Sequence, residues 1–454
     1  MEKFLISELV EVLDGKLEQR GKHEAVVSVS IDSRKVTEGG LYVPIIGENM
    51  DGHRFVGNAV ENGAFAVLTQ ENLEDISEDV AVIHVESTKK ALQDLGKANR
   101  LRYTIPVVAV TGSSGKTTTK DVIASVLSQK YKTMKTQGNF NNQLGVPQTL
   151  FQLDPTYEAA VVEMGMDHLG DIRENIEGVV PHYGVITNIG TAHLEYLKTQ
   201  DNILKAKMEI FETRGKDDIA ILNGDDPYLN NIKYVPYQII RFGIKGENLD
   251  YQAKDIQSSS NGVEFTLNEE KYHFRFPGIH NVYNATAAII IAKDLGLTYE
   301  EIQKGFDAFI PSGNRMKMEV LDNVTYIDDS YNANPDSVRA AANTMAALKK
   351  DNGRCIAVIG DMLEMGETGW DLHYQVGQYI SSLADKIIGV GDLAQAYIEG
   401  ASEKMDDADL FYCGTPEEAA EYLKKSVCSG DVVLIKASHG VQLDKIMNIL
   451  KGEN

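Results

Sequence analysis

Pro106-Val-Val-Ala-Val-Thr-Gly-Ser-Ser-Gly-Lys-Thr-Thr-Thr-Lys120 decides the fold of this chain. The apolar run 107–110 reads as a parallel strand covered on both faces, since such strands carry continuous rather than alternating apolar residues. A turn of Gly112, Ser113, Ser114 and Gly115 follows. Lys116 and Thr117 then open a helix that repeats apolar residues at Val122, Ile123, Val126 and Leu127. This is the order a phosphate-binding loop needs. Glycines let backbone N–H groups converge on phosphate, and the helix N-terminus adds partial positive charge. In that reading the loop from Gly112 to Thr118 cradles a nucleoside triphosphate. Lys116 reaches the outer phosphates and the Thr117 hydroxyl meets Mg²⁺. The longer form of the signature wants a glycine where this chain has Val110, so this is the shorter variant. The competing reading is a glycine-rich turn without a ligand; the flanking strand, the helix and the Lys-Thr pair argue against it.

Working outward, 454 residues are too many for one ordinary domain. A hydrophobic fraction of 43% fits a globular chain, and no apolar run approaches a membrane span. The net charge of -23 argues against nucleic acid or an anionic membrane as partner, but not against an anionic small molecule bound by local cations. Cys355, Cys413 and Cys428 have neither metal-ligand spacing nor the look of a disulfide framework. The N-terminus has no basic stretch leading into an apolar one, so the expectation is a cytoplasmic protein; a monomer is expected too, with which the acidic balance is compatible.

Upstream of the loop, residues 1–86 read as a small α/β unit. Ser7 is expected to cap its first helix, and a strand is expected over 40–46. Ser33, Arg34 and His53 fall at strand ends, where α/β proteins place ligands, although ordinary turn chemistry suits them equally. Downstream, 138–147 packs Asn139, Asn141 and Asn142 between glycines, which serves a turn or a polar substrate. The strand 159–163 ends in Glu163, which is either a carboxylate for Mg²⁺ opposite the phosphate loop or an ordinary strand-end acid. Another strand leads to His193. Lys205, Lys207 and Glu209 follow on a helix whose periodicity singles out none of them. The pattern from 241 to 276 shortens and alternates, suggesting antiparallel hairpins at the sheet edge. Asn281 opens a long apolar helix, as a cap or as a base ligand. Beyond a linker at 311–314, regular strand–helix alternation predicts a third unit with a parallel sheet covered on both faces.

These motifs together carry a resemblance. TGSSGKTT, the EMG strand end, TNIGTAHLE, LKAKMEIF, GIHNVYNATAA, NRMK and DDSYNANPDS are similar to the Mur ligase family, over nearly the whole chain. DSRKVTEGGLYVPIIGENMDGHRF, GNFNNQLGVPQTL and GDMLEMGE resemble the branch that adds D-alanyl-D-alanine. The resemblance implies three α/β domains. Residues 1–86 would hold a UDP-sugar, 87–312 would form the central ATP-binding unit, and 313–454 would be a Rossmann-like unit for the incoming amine. It implies ATP-dependent ligation of D-alanyl-D-alanine to UDP-N-acetylmuramoyl-tripeptide through an acyl phosphate, with two Mg²⁺ ions, in peptidoglycan precursor synthesis. By motif, Glu163 and His193 would bind the second Mg²⁺, and Lys207 would match the lysine that the family carbamylates. Asn281 would contact adenine, Arg315 phosphate and Asp329 ribose. Asn139 and Asn142 would face the UDP-MurNAc-peptide, Asn332 and Asn334 the dipeptide, and Ser33, Arg34 and His53 the nucleotide-sugar. Because Arg315 and Asp329 lie beyond the linker, the resemblance also implies that the third unit closes on the second. The alternatives are another Mur-type or folylpolyglutamate-type ligase, a P-loop ATPase or kinase, and a nucleotide-binding regulator without turnover.

Overall fold

A computed structural model describes every residue of the chain except 213, 214, 216, 217, 234, 236, 351 and 454. Three mainly parallel sheets organise it. The largest has seven strands. In spatial order they are Tyr251–Gln252, Gln238–Gly243, Ile219–Asn223, Tyr183–Ile186, Val107–Thr111, Ala159–Glu163 and Thr133–Lys135, all parallel. The strand of the quoted stretch lies inside this sheet, and its side chains explain why. Val108 and Val110 enter one apolar cluster beneath the helices Lys116–Leu127 and His280–Asp294, while Val107 and Ala109 enter the cluster on the opposite face. Both sets are fully buried, each valine contributing about 1.5–3 kcal/mol relative to exposure. Successive connections reach opposite sides of this strand. The crevice at its carboxyl end, between Glu163 and Ile186, is therefore the switch point where such sheets bind ligands.

The N-terminal sheet has five strands, in the order Lys16–Gln19, Ala81–His84, Ala64–Thr69, Gly40–Tyr42 and Ser28–Ser30, with only the first antiparallel. The C-terminal sheet has six: Lys317–Leu321, Val324–Asp328, Val432–Lys436, Cys355–Gly360, Lys386–Val390 and Leu410–Cys413. Its last five strands are parallel, as the alternation predicted, and Cys355 is fully buried within it.

Local readings diverge in four places. Ser7 is not a cap: the helix Ile6–Val12 begins after Leu5, whose N–H is accepted by Glu8 at 3.4 Å. The expected strand over 40–46 pairs only as Gly40–Tyr42. The region 241–276 is not all hairpin. Gln238–Gly243 and Tyr251–Gln252 extend the parallel sheet, and only Lys254–Ser259, Gly262–Leu267 and Glu270–Phe274 form a separate antiparallel sheet. That small sheet survives because Phe265, Tyr272 and Phe274 bury against the helix His280–Asp294. The antiparallel edge strand Lys317–Leu321 was not anticipated. Its signal is Asp322-Asn323, a two-residue turn with both φ positive, at 49° and 63°.

Candidate active site

The phosphate loop is held open by its neighbour in the sheet. Gly112 has a φ of 151°, and a Cβ there would lie 1.8 Å from Thr187 Oγ1, so only glycine fits. Thr187 Oγ1 and Asn188 Nδ2 both donate to Ser114 O, at 2.5 and 3.2 Å. Ser114 N donates back to Asn188 Oδ1 at 2.9 Å. Gly115, at a φ of 79°, then turns the chain into the helix Lys116–Leu127. Lys116 Nζ donates to Gly112 O at 2.7 Å, folded back over its own loop. Burial pushes its pKa down, and Arg315 adds to that, while Glu163, Asp167 and Glu364 oppose it.

A cavity of ≈ 1140 Å³ opens from this loop. Ser113, Ser114, Gly115, Lys116, Thr118, Glu163 and His193 line it from the central unit, as do Asn139 and Asn142. Arg315, Asp329, Asn332 and Asn334 line it from beyond the linker. Gly112 and Thr117 are absent from the lining; the Thr117 side chain is buried at the helix start.

Glu163 ends its strand fully buried. One carboxylate oxygen accepts from Asn141 Nδ2 at 2.8 Å; the other has no hydrogen-bond partner and lies 3.8 Å from Lys120 Nζ. His193 lines the same cavity as Glu163, but its ion-pair partners are two other acids. Its Nδ1 lies 3.2 Å from Asp167 Oδ1 and 2.8 Å from Glu364 Oε2, and these three residues can converge on one ion. Glu364 comes from the C-terminal unit, and the His193 ring holds its carboxyl below the ordinary range. Lys207 is fully buried and outside the lining. Among the described residues it has no hydrogen-bond or ion-pair partner, and burial, with Lys116 adding, lowers its pKa well below that of a free lysine.

The two units touch directly around this cavity. Asn334 caps the helix Pro335–Ala347, and its side chain also meets the phosphate loop, with Ser114 Oγ at 3.1 Å and Ser113 O at 3.3 Å. Glu195 N donates to Glu364 O at 3.1 Å. A Cβ on Gly190 would sit 2.2 Å from Asp336 Oδ2. Lys436 Nζ binds Asp329 Oδ2 at 2.5 Å and Asn332 O at 2.9 Å. His280, opposite this pair, is pushed down to about 4 by burial, with Lys436 adding and Asp329 opposing. Arg315 lies over the Tyr331 ring at 4.2 Å. The two units are therefore in contact in this arrangement.

Asn281 does not face the cavity. It donates to Pro277 O at 2.8 Å and accepts from Asn284, so it neither caps its helix nor meets the open space; His280, Tyr283 and Asn284 do that. Ser33, Arg34 and His53 lie away from this cavity, at the carboxyl ends of the N-terminal strands. Arg34 is exposed and pairs with Asp32, while Ser33 is buried. His53 is locked, with Nδ1 2.7 Å from Asp51 Oδ1 and Nε2 accepting from Gln70 N at 3.2 Å. Sequence reasoning missed Asn188, Asp167, Glu364 and Lys436. Asn188 had a signal, its place in TNIGTAHLE; the others are joined to the loop only by folding.

Comparisons with known proteins match most of the chain. Three family models match: the Mur ligase family catalytic domain over 25–100, the Mur ligase middle domain over 110–292, and the Mur ligase, glutamate ligase domain over 314–439. The UDP-N-acetylmuramoyl-tripeptide–D-alanyl-D-alanine ligase of Bacillus subtilis is 35% identical, with 99% of each chain covered. Its Escherichia coli counterpart is 33% identical over 98% of each. The crystal structure of MurF from Acinetobacter baumannii superposes with a TM-score of 0.91 at 32% identity over 100% of both chains. The Thermotoga maritima MurF structure in complex with ADP gives 0.82 at 26% identity, covering 94% of this chain and 97% of that one.

Proposed function

The chain belongs to the Mur ligase family, and we propose that it joins D-alanyl-D-alanine to the terminal carboxylate of UDP-N-acetylmuramoyl-tripeptide, with ATP as the activating substrate. It is an ATP-dependent, amide-forming ligase of peptidoglycan precursor synthesis. One observation carries the reading: the phosphate loop and a wall of residues from the C-terminal unit bound one cavity.

A carboxylate resists amines because oxide is a poor leaving group. In this reading a carboxylate oxygen attacks the γ-phosphorus, ADP leaves, and an acyl phosphate forms. The dipeptide amine then attacks the acyl carbon, and phosphate departs from the tetrahedral adduct as the nitrogen loses a proton. Negative charge gathers in both steps, so preorganised cations and backbone N–H groups contribute most of the acceleration. Lys116 exchanges Gly112 O for the outer phosphates, and Arg315 approaches them from beyond the linker. Gly112, Ser113, Ser114, Gly115 and Thr118 surround the phosphates, Asp329 meets the ribose, and Asn281 supports the adenine-facing residues beside it.

The donor set suits Mg²⁺. Glu163 keeps one buried oxygen without a partner, and His193 stands among carboxylates. We assign Thr117 to one ion, and Glu163 with His193 to a second. When bound, these ions would neutralise phosphate charge. Burial without a partner favours the neutral amine of Lys207, the form that reacts with CO₂, which supports its carbamylation. A carbamate carbon signal from labelled bicarbonate, lost in Lys207→Arg, is the check. Asn139 and Asn142 serve the UDP-MurNAc-peptide, Asn332 and Asn334 the dipeptide side, and Ser33, Arg34 and His53 the nucleotide-sugar. The units divide at 86 and 312. No helix among the described residues is long and apolar enough to cross a membrane, and a monomer in the cytoplasm is the reading we adopt.

Phosphate release from ATP and Mg²⁺ tests the proposal. Release that needs both UDP-MurNAc-tripeptide and D-alanyl-D-alanine, with the pentapeptide as product, is expected. Release indifferent to the dipeptide would overturn it.

A further inference from the structure

We infer that Arg339 is the residue that recognises the carboxylate of the incoming dipeptide, making it a specificity determinant of the ligation; this rests on the function proposed above. Arg339 lies one turn into the helix Pro335–Ala347 and lines the cavity between the units. Its Nε is buried without a hydrogen-bond partner, and among the described residues its guanidinium makes no ion pair within 4.0 Å. The Tyr379 ring lies 5.6 Å from the guanidinium carbon, and Asn343 Nδ2 holds the Tyr379 hydroxyl at 2.7 Å. The ring is thus a fixed platform that orients the cation while leaving its N–H groups free. A buried guanidinium donor left unmatched is costly, and a planar fork fits a carboxylate.

The other cations on the cavity wall are committed. Lys436 is bound to Asp329, and Lys116 belongs to the phosphate loop. Arg315 lies over Tyr331, near enough to Lys116 to lower its pKa, which puts it at the phosphate end. Burial raises the pKa of Asp336, three residues earlier on the same helix, although the Arg339 charge opposes this; it makes no ion pair with Arg339 within 4.0 Å, and its hydrogen bond is to the Thr191 backbone across the unit boundary. Arg339 remains for a substrate anion.

Distance favours the dipeptide. Asn334, which precedes the helix, touches the phosphate loop. Arg339, five residues further on, lies about 7.5 Å beyond it along the axis. An extended dipeptide spans at most about 7 Å. An amine at the acyl phosphate therefore leaves its carboxylate within reach of Arg339.

Steady-state kinetics with Arg339→Gln and Arg339→Lys test this against wild type making the pentapeptide. For Arg339→Gln, KM for D-alanyl-D-alanine should rise about 10- to 100-fold, with KM for ATP and UDP-MurNAc-tripeptide within about threefold of wild type. Arg339→Lys should recover part of the loss. Wild type should prefer D-alanyl-D-alanine to D-alanyl-D-alaninamide by a similar factor, and Arg339→Gln should lose that preference. An unchanged preference would overturn the assignment. So would a rise confined to the UDP-tripeptide KM, which would give Arg339 to a carboxylate of that substrate. Failure of wild type to make the pentapeptide would instead sink the function itself.

Discussion

At the residue scale, the site is built from side chains whose ordinary chemistry is altered by burial. His280 is the clearest titratable case. Its folded-state pKa is about 4 against an ordinary 6.5, so the folded protein holds it neutral where the unfolded chain protonates it. Between those values the unfolded state binds more protons, and stability falls as pH drops through that window. Below about pH 4 both states are protonated and the penalty levels off. In melting experiments, His280→Gln should lose less stability than wild type between pH 7 and pH 4.5; identical losses would show that folding does not lower the His280 pKa. Lys116, Glu163 and His193 were legible in the sequence because each sits at the end of an apolar strand beside turn residues. Asn281 was misjudged for a related reason. The motif marks the helix end but not which side chain faces outward, and His280, Tyr283 and Asn284 take that place.

At the element scale, the helix Pro335–Ala347 is what brings the C-terminal unit to the phosphate loop. Its cap Asn334 meets Ser114 although 220 residues separate them, and no local pattern could reveal that. Gly190 leaves room for the approach, since a Cβ there would lie 2.2 Å from Asp336 Oδ2 and displace that carboxylate. Gly190→Ala should therefore fold and bind ATP nearly as wild type does while kcat falls about 10- to 100-fold, because small misplacements of reacting groups are expensive. Stopped-flow ATP binding beside steady-state rates would separate these effects, and an unaffected kcat would show that the contact is not needed for turnover. The parallel core was legible because strands buried on both faces read as continuous apolar runs. The region 241–276 was not, because half-buried edge strands alternate alike whether they join a sheet in parallel or form hairpins.

At the scale of the whole molecule, three α/β units make up the chain, and the cavity that opens from the phosphate loop lies where two of them meet. The cavity walls come from segments on both sides of the linker, so neither unit alone makes the chamber. The phosphate loop was legible in the sequence, and motif resemblance pointed to residues beyond the linker that line the same cavity; the juxtaposition of His193, Asp167 and Glu364 appeared only on folding. The central claim is that ATP activates a carboxylate inside this chamber rather than meeting water. Turnover with UDP-MurNAc-tripeptide labelled with oxygen-18 in its terminal carboxylate, followed by mass spectrometry of the released phosphate, tests it most directly. One labelled oxygen transferred to phosphate in each turnover is the expected result. Phosphate without label, its one new oxygen coming from solvent, would contradict the acyl-phosphate account and leave an ATPase.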